Sequence, residues 1–523
     1  MQAPFSRTIY ELLLEQAGRR PDAPAVIDKG LTTSFATLTG RAGRVATALR
    51  EAGVQRGEPV GLLAANCVEW LEIAYGVAAL GAILVPFSTW STADELDFLI
   101  SDSGVRRMFA VGRVGQQDFA TPLLRACHDG RLDQIIAVGT APIDGATPFA
   151  GFAPGAMAFQ AAPGDAASAS DTYVVLYTSG SSNRPKAVPL AHYATIENGF
   201  NIGERQGLGP NDRVLISIPL FWSYGAANAL PAVLSHGAAM VLQSRFEPGE
   251  ALDLIERHKC TGLYTLPAMT NALLAHPSFA RSRTRSLRTG VTIGAPQDVV
   301  KAATELGADS ICNIYGSTES YGNCCVTPHD WPLERRASCQ GPPLPGVLLR
   351  IRDGDSGALL PPGSVGQLEV TGYLTPGYRG NSAQHNTQVF TDDGWFRTGD
   401  LGSLTADGFL QYAGRSSEMI KRAGINVSPA EVEEVLQQHP DVGLAGVTGA
   451  PDARRDEIIV AFVVPRPGVN VDPRRLVEHC RTKLSGYKVP DKIVVSAALP
   501  LTATGKLMRR ELKAMATDAD SKS

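Results

Sequence analysis

Tyr177-Thr-Ser-Gly-Ser-Ser-Asn-Arg-Pro-Lys-Ala-Val188 is a run of small, hydroxylated residues closed by a lysine, and it begins where the apolar segment 173–177 ends. A buried strand that ends in such a run exposes backbone N–H groups and hydroxyls, which a polyphosphate needs, and the lysine adds a movable charge. The predicted phosphate contacts are Thr178, Ser179, Gly180, Ser181, Ser182 and Lys186. The Gly-x4-Gly-Lys-Ser/Thr spacing of a Walker loop is absent, and an ordinary surface turn is the alternative.

The composition predicts a globular protein of two or more domains, because the chain has 523 residues, of which 44% are hydrophobic and 19% charged. The net charge of −4, without a basic stripe, argues against nucleic acid as a partner. The most apolar stretch, 73–86, is shorter than the roughly 18 residues of a membrane-spanning helix. We therefore expect no membrane span, and a core helix that runs into a strand.

The N-terminal residues contain no apolar signal core. The eight cysteines include no Cys-x-x-Cys pair, so the sequence supports neither a disulfide framework nor a zinc site. A reducing cytoplasm is the expected location.

Helical and strand-like segments alternate over about 8–111 and again after residue 214, which predicts βα units and a mostly parallel sheet, an α/β fold. The predicted strands are 59–63, 83–86, 214–218, 262–266 and 310–314, and the predicted helices are 41–52 and 248–258. Short strands divided by turns over 346–371 indicate a smaller antiparallel unit. The predicted domains are residues 1–416 and 417–523.

A helix is predicted directly after the start of the second domain. Ser428 is placed as its N-cap, Pro429 in its first turn, and Glu431 completes a capping box. A strand at 458–464, a helix at 473–484 and a last strand at 493–495 follow.

Five motifs follow one another along the chain. They are the loop 177–188, Tyr315-Gly-Ser-Thr-Glu319, Gly394-Trp-Phe-Arg-Thr-Gly-Asp400, Glu418-Met-Ile-Lys-Arg-Ala-Gly424, and Pro500-Leu-Thr-Ala-Thr-Gly-Lys506-Leu-Met-Arg-Arg510. In this order they resemble the motifs of the adenylate-forming acyl-CoA synthetase family, over nearly the whole chain. The loop departs from the family pattern at Ser182-Asn183, where Thr-Gly is preferred, and at Ala187, where Gly is preferred.

The resemblance implies a large N-terminal domain of mixed and parallel sheets with a β subdomain, followed by a small, mobile α+β domain. It also implies ATP, Mg²⁺ and coenzyme A as cofactors. A carboxylic acid would be converted to an acyl-adenylate and then to a thioester.

The resemblance gives the second motif three roles, and hard cations such as Mg²⁺ do prefer oxygen ligands. Tyr315 would stack on adenine, Thr318 would hydrogen-bond the α-phosphate, and Glu319 would hold magnesium together with Thr178. Gly316 and Ser317 complete the predicted nucleotide contacts in this turn. The alternative is a capped turn in which Thr318 and Glu319 start a helix.

Two further segments are expected at the nucleoside. The segment of Gly294, Ala295 and Pro296 resembles the one that lies along the adenine. Asp400 would accept hydrogen bonds from both ribose hydroxyls, which a carboxylate can do, and Arg415 would assist it. Without the other motifs, Asp400 would be a turn residue before a strand.

The resemblance places the moving parts in the C-terminal domain. Glu418 would be the interdomain hinge, and Gly424 would begin the loop that lines the pantetheine channel. Lys506 would act in the first half-reaction, because a mobile cation offsets the repulsion between the acid's carboxylate and the α-phosphate. Acylation of Lys506 would remove its charge and silence the enzyme.

The acid is expected to bind around the segments 219–228 and 293–295. Trp222 and Tyr224 would face an apolar acyl group or ring, with room at Gly225, although both aromatic residues are equally consistent with a core position. The stretch between Pro219 and Leu230 contains no acidic residue, which argues against an amino-acid substrate. A branched, alicyclic or aryl acid of small to medium size is expected.

Three alternatives remain. The chain could load a carrier protein instead of coenzyme A, act as a luciferase-like oxygenase, or bind acyl groups or nucleotides without catalysis. The sequence leaves the oligomeric state open.

Overall fold

A computed structural model describes residues 2–161, 166–178, 185–422, 425–452, 456–502 and 507–520. These residues form the predicted α/β fold of mixed sheets with helices. The chain divides into two compact units. The first is Met1–Thr265, Met269–Leu348 and Val370–Phe396, and the second is Leu266–Ala268, Leu349–Glu369 and Arg397–Ser523. The predicted boundary at 416/417 falls within the second unit and stays a prediction.

The strands, in chain order, are β1 (Pro24–Asp28), β2 (Leu31–Ser34), β3 (Pro59–Leu63), β4 (Ile83–Pro86), β5 (Arg107–Ala110), β6 (Arg113–Val114), β7 (Gln117–Asp118), β8 (Gln134–Ala137), β9 (Thr147–Pro148), β10 (Thr172–Thr178), β11 (Lys186–Ala191), β12 (Arg213–Ile216), β13 (Ala239–Leu242), β14 (Gly262–Tyr264), β15 (Thr289–Thr292), β16 (Cys312–Tyr315), β17 (Cys325–Val326), β18 (Leu348–Arg352), β19 (Gly366–Thr371), β20 (Phe396–Leu404), β21 (Leu410–Arg415), β22 (Ile420–Arg422), β23 (Ile425–Val427), β24 (Val442–Asp452), β25 (Asp456–Pro465) and β26 (Lys492–Val495).

The α-helices are α1 (Ile9–Arg19), α2 (Phe35–Glu51), α3 (Val68–Ala79), α4 (Ala93–Ser103), α5 (Ala120–His128), α6 (Phe149–Phe152), α7 (His192–Gln206), α8 (Leu230–Ser235), α9 (Pro248–His258), α10 (Pro267–Ala275), α11 (Pro296–Lys301), α12 (Leu333–Ser338), α13 (Asn386–Val389), α14 (Pro429–Gln437), α15 (Pro473–Lys483) and α16 (Arg509–Asp520). Tyr224–Ala229 and Ala302–Leu306 are π-helices, and short 3₁₀ turns lie at Thr318–Ser320, Gly380–His385, Ser416–Glu418 and Gly486–Lys488.

Two large sheets build the first unit. One has the order β11-β10-β4-β3-β5-β8-β9, and its strands are parallel except for the hairpin of β10 and β11. The other has the order β17-β16-β15-β14-β12-β13-β1-β2, parallel inside with an antiparallel strand at each end. The predicted alternation of helices and strands is the cause, because parallel neighbours need a crossover between them.

The most apolar stretch forms the buried helix α3 followed by β4, as predicted. Within the described residues, no helix is both long and apolar enough to cross a membrane. All eight cysteines are free thiols, which agrees with the absence of a predicted disulfide framework.

A buried amide joins the two large sheets. Asn66 follows β3, and its Nδ2 lies within hydrogen-bond distance of the carbonyl oxygens of Ile216 (3.3 Å), Ile218 (2.8 Å) and Gln243 (3.1 Å), at the ends of β12 and β13. Its Oδ1 accepts from the backbone N–H of Leu220 at 2.8 Å. One side chain therefore contacts four backbone groups where the strands of both sheets end, with its two N–H donors shared among three carbonyl oxygens.

The second unit contains two smaller sheets. One has the order β18-β19-β20-β21, and the other has the order β23-β22-β25-β24 with β26 beside β25. Helix α14 starts as predicted, since the Ser428 side chain accepts from the N–H of Glu431 and Pro429 occupies the first turn. The predicted capping box is wrong in its second half, because the Glu431 carboxylate accepts from Lys488 Nζ at 2.6 and 2.8 Å instead.

We predict that Asn66→Ala lowers the free energy of unfolding of the first unit by about 3 kcal/mol, because the buried Leu220 N–H and the carbonyl oxygens of Ile218 and Gln243 lose the partner that Asn66 provides. Urea titration followed by tryptophan fluorescence measures the change. Asn201→Ala is the matched control, since this exposed amide makes one bond, to the Pro345 carbonyl at 3.3 Å. Equal midpoints for the two variants would contradict the role of Asn66.

Acid should destabilise the first unit through His192. Burial lowers the pKa of this histidine to about 4, with a smaller opposing effect of Asp171, and its Nδ1 accepts from the N–H of Ile9 at 3.2 Å. The folded protein therefore favours neutral His192, a contribution that is complete above the unfolded pKa near 6.5 and is lost as the pH falls towards 4. His192→Gln should remove about 2–3 kcal/mol of the stability difference between pH 7 and pH 4.5. The exposed His128→Gln serves as control, and an unchanged pH dependence in His192→Gln would refute the assignment.

Candidate active site

The hairpin of β10 and β11 presents two of the predicted phosphate contacts. Thr178 and Lys186 are paired across the ladder at its open end, and both side chains are half-buried. The structure therefore brings these two residues together. Ser179, Gly180, Ser181 and Ser182 lie outside the described residues, as do Gly424 and Lys506.

Ala187, where the family prefers glycine, lies inside the β11 ladder opposite Tyr177. Its side chain is 2% exposed and belongs to the apolar core of the seven-stranded sheet. An alanine thus fits this position by ordinary packing. Asn183, the other departure, lies outside the described residues.

The second motif forms a tight turn at the end of β16. Thr318 and Glu319 are buried in a short 3₁₀ turn. Ser317 precedes this turn, and the N–H of Ser317 donates to Ser320 Oγ at 3.1 Å. A Cβ at Gly316 would lie 2.4 Å from the backbone of Asn323, so only glycine fits there. Tyr315 is the last residue of β16 and is 8% exposed.

One tyrosine, Tyr378, contacts both Lys186 and Glu319. The hydroxyl of Tyr378 donates to Glu319 Oε1 at 2.8 Å, and Lys186 Nζ lies 4.9 Å from the centre of the Tyr378 ring. Burial, and then the Glu319 carboxylate, raise the pKa of Tyr378, so the phenol remains the donor. The structure therefore groups a cation and a carboxylate that the motifs predicted separately.

The oxygen atoms at this site suit a magnesium ion bound with a nucleotide. Glu319 Oε2 accepts no hydrogen bond from any residue that the structure describes. Mg²⁺ commonly takes one or two carboxylates and completes its shell with substrate phosphates and water. The described part of the chain contains no cluster of three His, Cys, Asp or Glu side chains that could hold a metal alone. Glu319, with the Thr178 hydroxyl, would hold the ion, and the ion would supply positive charge to the phosphates.

The predicted adenine segment joins β15 to α11. The N–H of Ala295 donates to Asp298 Oδ2 at 3.0 Å, and Pro296 occupies the first turn of α11. A Cβ at Gly294 would lie 2.7 Å from Asp298 Cβ. The three residues therefore form a compact helix entry, and their contact with adenine stays a prediction.

Asp400 and Arg415 belong to the second unit and face each other in the ladder of β20 and β21. Arg415 Nε lies 3.0 Å from Asp400 Oδ1, and Asp400 is 5% exposed. Asp400 lies within strand β20, so the alternative of a turn residue before a strand is wrong. Their contact with ribose stays a prediction.

The hinge candidate Glu418 contacts the end of the C-terminal lysine motif, where α16 begins. Arg509, the first residue of α16, lies with its Nε 3.2 Å from Glu418 Oε2. The same guanidinium donates to both carboxylate oxygens of Glu433, at 2.9 Å for Oε2. Burial raises the pKa of Glu433, and Arg509 opposes that shift. The sequence motifs gave no indication of this pairing.

The predicted acid-pocket residues differ in their surroundings. The Tyr224 hydroxyl donates to the carbonyl oxygens of Val291 (3.0 Å) and Thr265 (3.2 Å), so Tyr224 is a satisfied core residue. A Cβ at Gly225 would lie 2.3 Å from the Pro219 carbonyl oxygen, so Gly225 permits close backbone contact. Of these three residues, only Trp222 is partly exposed, whereas Tyr224 and Gly225 are buried. The substrate roles of all three stay predictions.

Sequence reasoning missed two aromatic residues at these sites. Tyr378 contacts both Lys186 and Glu319, and it lies in Pro376-Gly-Tyr378, outside the five motifs. Trp90 packs edge-on to Trp222 with ring centres 4.7 Å apart, and it is 42% exposed. A tryptophan at a loop position was the only signal for Trp90.

Comparison with known proteins identifies the family of the chain. The model of the AMP-binding enzyme family matches residues 13–379, and the model of the AMP-binding enzyme C-terminal domain matches residues 431–506. The chain is 30% identical to a putative acyl-CoA synthetase, YngI of Bacillus subtilis strain 168, over 97% of this chain and 96% of the relative. It is 31% identical to a feruloyl-CoA synthase of an Amycolatopsis species, over 96% of this chain and 97% of the relative.

The fold is also similar to that of a solved structure, the anthranilate CoA ligase AuaEII in complex with anthranoyl-AMP. The TM-score is 0.87 at 28% identity, and the similarity covers 100% of both chains. The chain therefore belongs to the AMP-binding enzyme family, as one of its adenylate-forming acyl-CoA synthetases.

Proposed function

We propose that the protein is an AMP-forming ligase that joins a small to medium branched, alicyclic or aryl acid to coenzyme A. The proposed class of acid rests on one observation, the contact between the partly exposed indoles of Trp222 and Trp90, whose ring centres lie 4.7 Å apart. An aromatic wall of this kind suits an apolar acyl group or ring. The aryl substrates in the names of the feruloyl-CoA synthase and the anthranilate CoA ligase support the aryl member of the class.

In the first half-reaction a carboxylate oxygen of the acid attacks the α-phosphorus of ATP. The bond between the α-phosphorus and the bridging oxygen breaks, and pyrophosphate leaves towards Lys186. Lys506 reduces the repulsion between the carboxylate and the α-phosphate, where negative charge accumulates. Thr318 donates to the α-phosphate, and Asp400 with Arg415 orients the ribose.

In the second half-reaction the coenzyme A thiol attacks the acyl carbon, AMP leaves, and the thiol proton is released to solvent. Glu418 would be the hinge that removes Lys506 and brings the loop beginning at Gly424 over the acyl-adenylate. The C-terminal domain, 417–523, would move as a unit. We also propose a cytoplasmic location and control by acylation of Lys506.

A screen of acid classes tests the function. Purified protein with ATP, Mg²⁺ and coenzyme A is given short, branched, alicyclic, aryl and long-chain acids, and thioester is detected by mass spectrometry. We expect the best kcat/KM with an aryl, alicyclic or branched acid. Product formed only on a carrier protein would establish the alternative acceptor, and the absence of ATP–pyrophosphate exchange with every acid would exclude catalysis.

Trp222→Ala tests the acid pocket. Loss of the indole should raise KM for the preferred acid about tenfold, because a buried aromatic contact of this size is worth roughly 1.4 kcal/mol or more, while KM for ATP stays unchanged. Trp331→Ala is the matched control, as this indole packs against Arg335 with 4.1 Å between the guanidinium carbon and the ring centre. An unchanged KM for the acid in Trp222→Ala would place Trp222 outside the pocket.

Lys506→Ala should separate the two half-reactions. Adenylation, measured as ATP–pyrophosphate exchange, should fall about 10²–10³-fold, as expected when a charge-stabilising group is lost. Thioester formation from a supplied acyl-adenylate should persist. Lys513→Ala is the control, since this exposed lysine pairs with Glu457 at 2.8 Å. An equal fall in both half-reactions would refute a role for Lys506 in one step alone.

A further inference from the structure

The hydroxyl of Tyr378 fixes one oxygen of Glu319. It donates to Oε1 at 2.8 Å, and the backbone of Glu319 is held as well, because its carbonyl oxygen accepts from the N–H of Thr375 at 2.8 Å. Both Glu319 and Tyr378 are buried. The carboxylate therefore has one defined orientation, which leaves Oε2 to face a ligand.

The ring of the same tyrosine holds Lys186. Its Nζ lies 4.9 Å from the ring centre, within the range of a cation–π contact. No carboxylate that the structure describes lies within ion-pair distance of Lys186. The ring thus contacts the Lys186 ammonium without neutralising its charge, whereas a contact ion pair with a buried carboxylate would be costly to separate.

Tyr378 is itself held in place. Its N–H donates to Asn386 Oδ1 at 2.8 Å. The next residues, 379–382, form a segment that we call the strap. The N–H of Arg379 donates to the Ala187 carbonyl at 3.0 Å, and the N–H of Ala187 donates to Ser382 Oγ at 3.2 Å. The strap is thereby bound to β11 immediately after Lys186.

The strap also reaches the other strand of the hairpin. Asn381 donates through its N–H (2.9 Å) and Nδ2 (2.7 Å) to Asp102 Oδ1, and the Tyr177 hydroxyl donates to Asp102 Oδ2 at 2.7 Å. A Cβ at Gly380, where φ is +58°, would lie 2.7 Å from Asp102 Oδ1. The strap that follows Tyr378 is therefore hydrogen-bonded to β11 directly and is linked to β10 through Asp102. These are the two strands that carry the phosphate contacts.

We propose that Tyr378 is a positioning residue of the nucleotide site, whose hydroxyl orients Glu319 for the metal and whose ring keeps Lys186 apart from Glu319 and available to the outer phosphates of ATP. This inference rests on the proposed function for its ligand, a metal-bound nucleoside triphosphate. The Tyr378 side chain thus has two separable roles, in which the hydroxyl orients Glu319 and the ring holds Lys186.

Two variants separate the role of the hydroxyl from the role of the ring. Tyr378→Phe removes the hydroxyl and keeps the ring, and Tyr378→Leu removes both. ATP binding to the full-length protein is measured by isothermal titration calorimetry without acid, over a series of Mg²⁺ concentrations. Tyr378→Phe should raise the Mg²⁺ concentration for half-maximal ATP binding about tenfold, as expected for loss of a partner that orients a metal ligand. At saturating Mg²⁺ it should bind ATP as tightly as the wild type.

Tyr378→Leu should also weaken ATP binding about fivefold at saturating Mg²⁺, because Lys186 loses its cation–π contact. The matched control is Tyr373→Phe, which removes a tyrosine hydroxyl that donates to Glu197 elsewhere in the same unit. The control should keep the Mg²⁺ requirement of the wild type, and thermal melting confirms that each variant is folded.

An unchanged Mg²⁺ requirement in Tyr378→Phe, or a shift equal to that of Tyr373→Phe, would overturn the role of the hydroxyl. Equal ATP affinities of Tyr378→Phe and Tyr378→Leu at saturating Mg²⁺ would overturn the role of the ring. The titration needs neither acid nor coenzyme A, so a failure to form thioester would count against the proposed function alone. Absence of ATP binding by the wild type would overturn both.

Discussion

The side-chain amide of Asn66 is the interaction on which the first unit most depends. Strands of the two large sheets end near one another, and their last backbone groups need partners in a place without water. One amide supplies a double donor and an acceptor there. One partner of Asn66 is the N–H of Leu220. Asn66 therefore also fixes the start of the segment that leads into the π-helix Tyr224–Ala229. π-helical turns are frequent at functional sites, and here a core contact sets the position of one.

Local patterns predicted much of the fold. Strands β3 and β4 and helix α9 have the bounds that their apolar periodicity indicated. Helix α2 begins at Phe35, six residues before the predicted start, because Ser34 caps it and accepts from the N–H of Thr37. The hydroxyl of Tyr378 could not be assigned in this way, since its partner Glu319 is 59 residues away in the chain. Contacts of that kind depend on strand order, which periodicity leaves undetermined.

The motifs predicted which residue types serve the nucleotide but not how the chain holds them. Asp400 and Arg415 form an ion pair, so the negative charge of the carboxylate is balanced by the guanidinium within the protein itself. Arg509 is shared between Glu418 and Glu433, which links the hinge candidate to the end of the lysine motif. Asp400, Arg415 and Glu418 thus have partners of opposite charge, and Glu319 has the hydroxyl of Tyr378. Lys186 is supported by a ring, and this leaves its full positive charge for a ligand.

The strap has a further consequence for how the protein is made. Strand β11 is the edge of the seven-stranded sheet, and the bridge between Ala187 and Arg379 covers part of that edge. An open edge is a template for pairing with another chain. The strap is synthesised about 190 residues after the strand it covers, which at ribosomal speeds of about 5–20 residues per second leaves the edge uncovered for roughly 10–40 s. During that interval the uncovered edge of the hairpin of β10 and β11 is open to pairing with another chain.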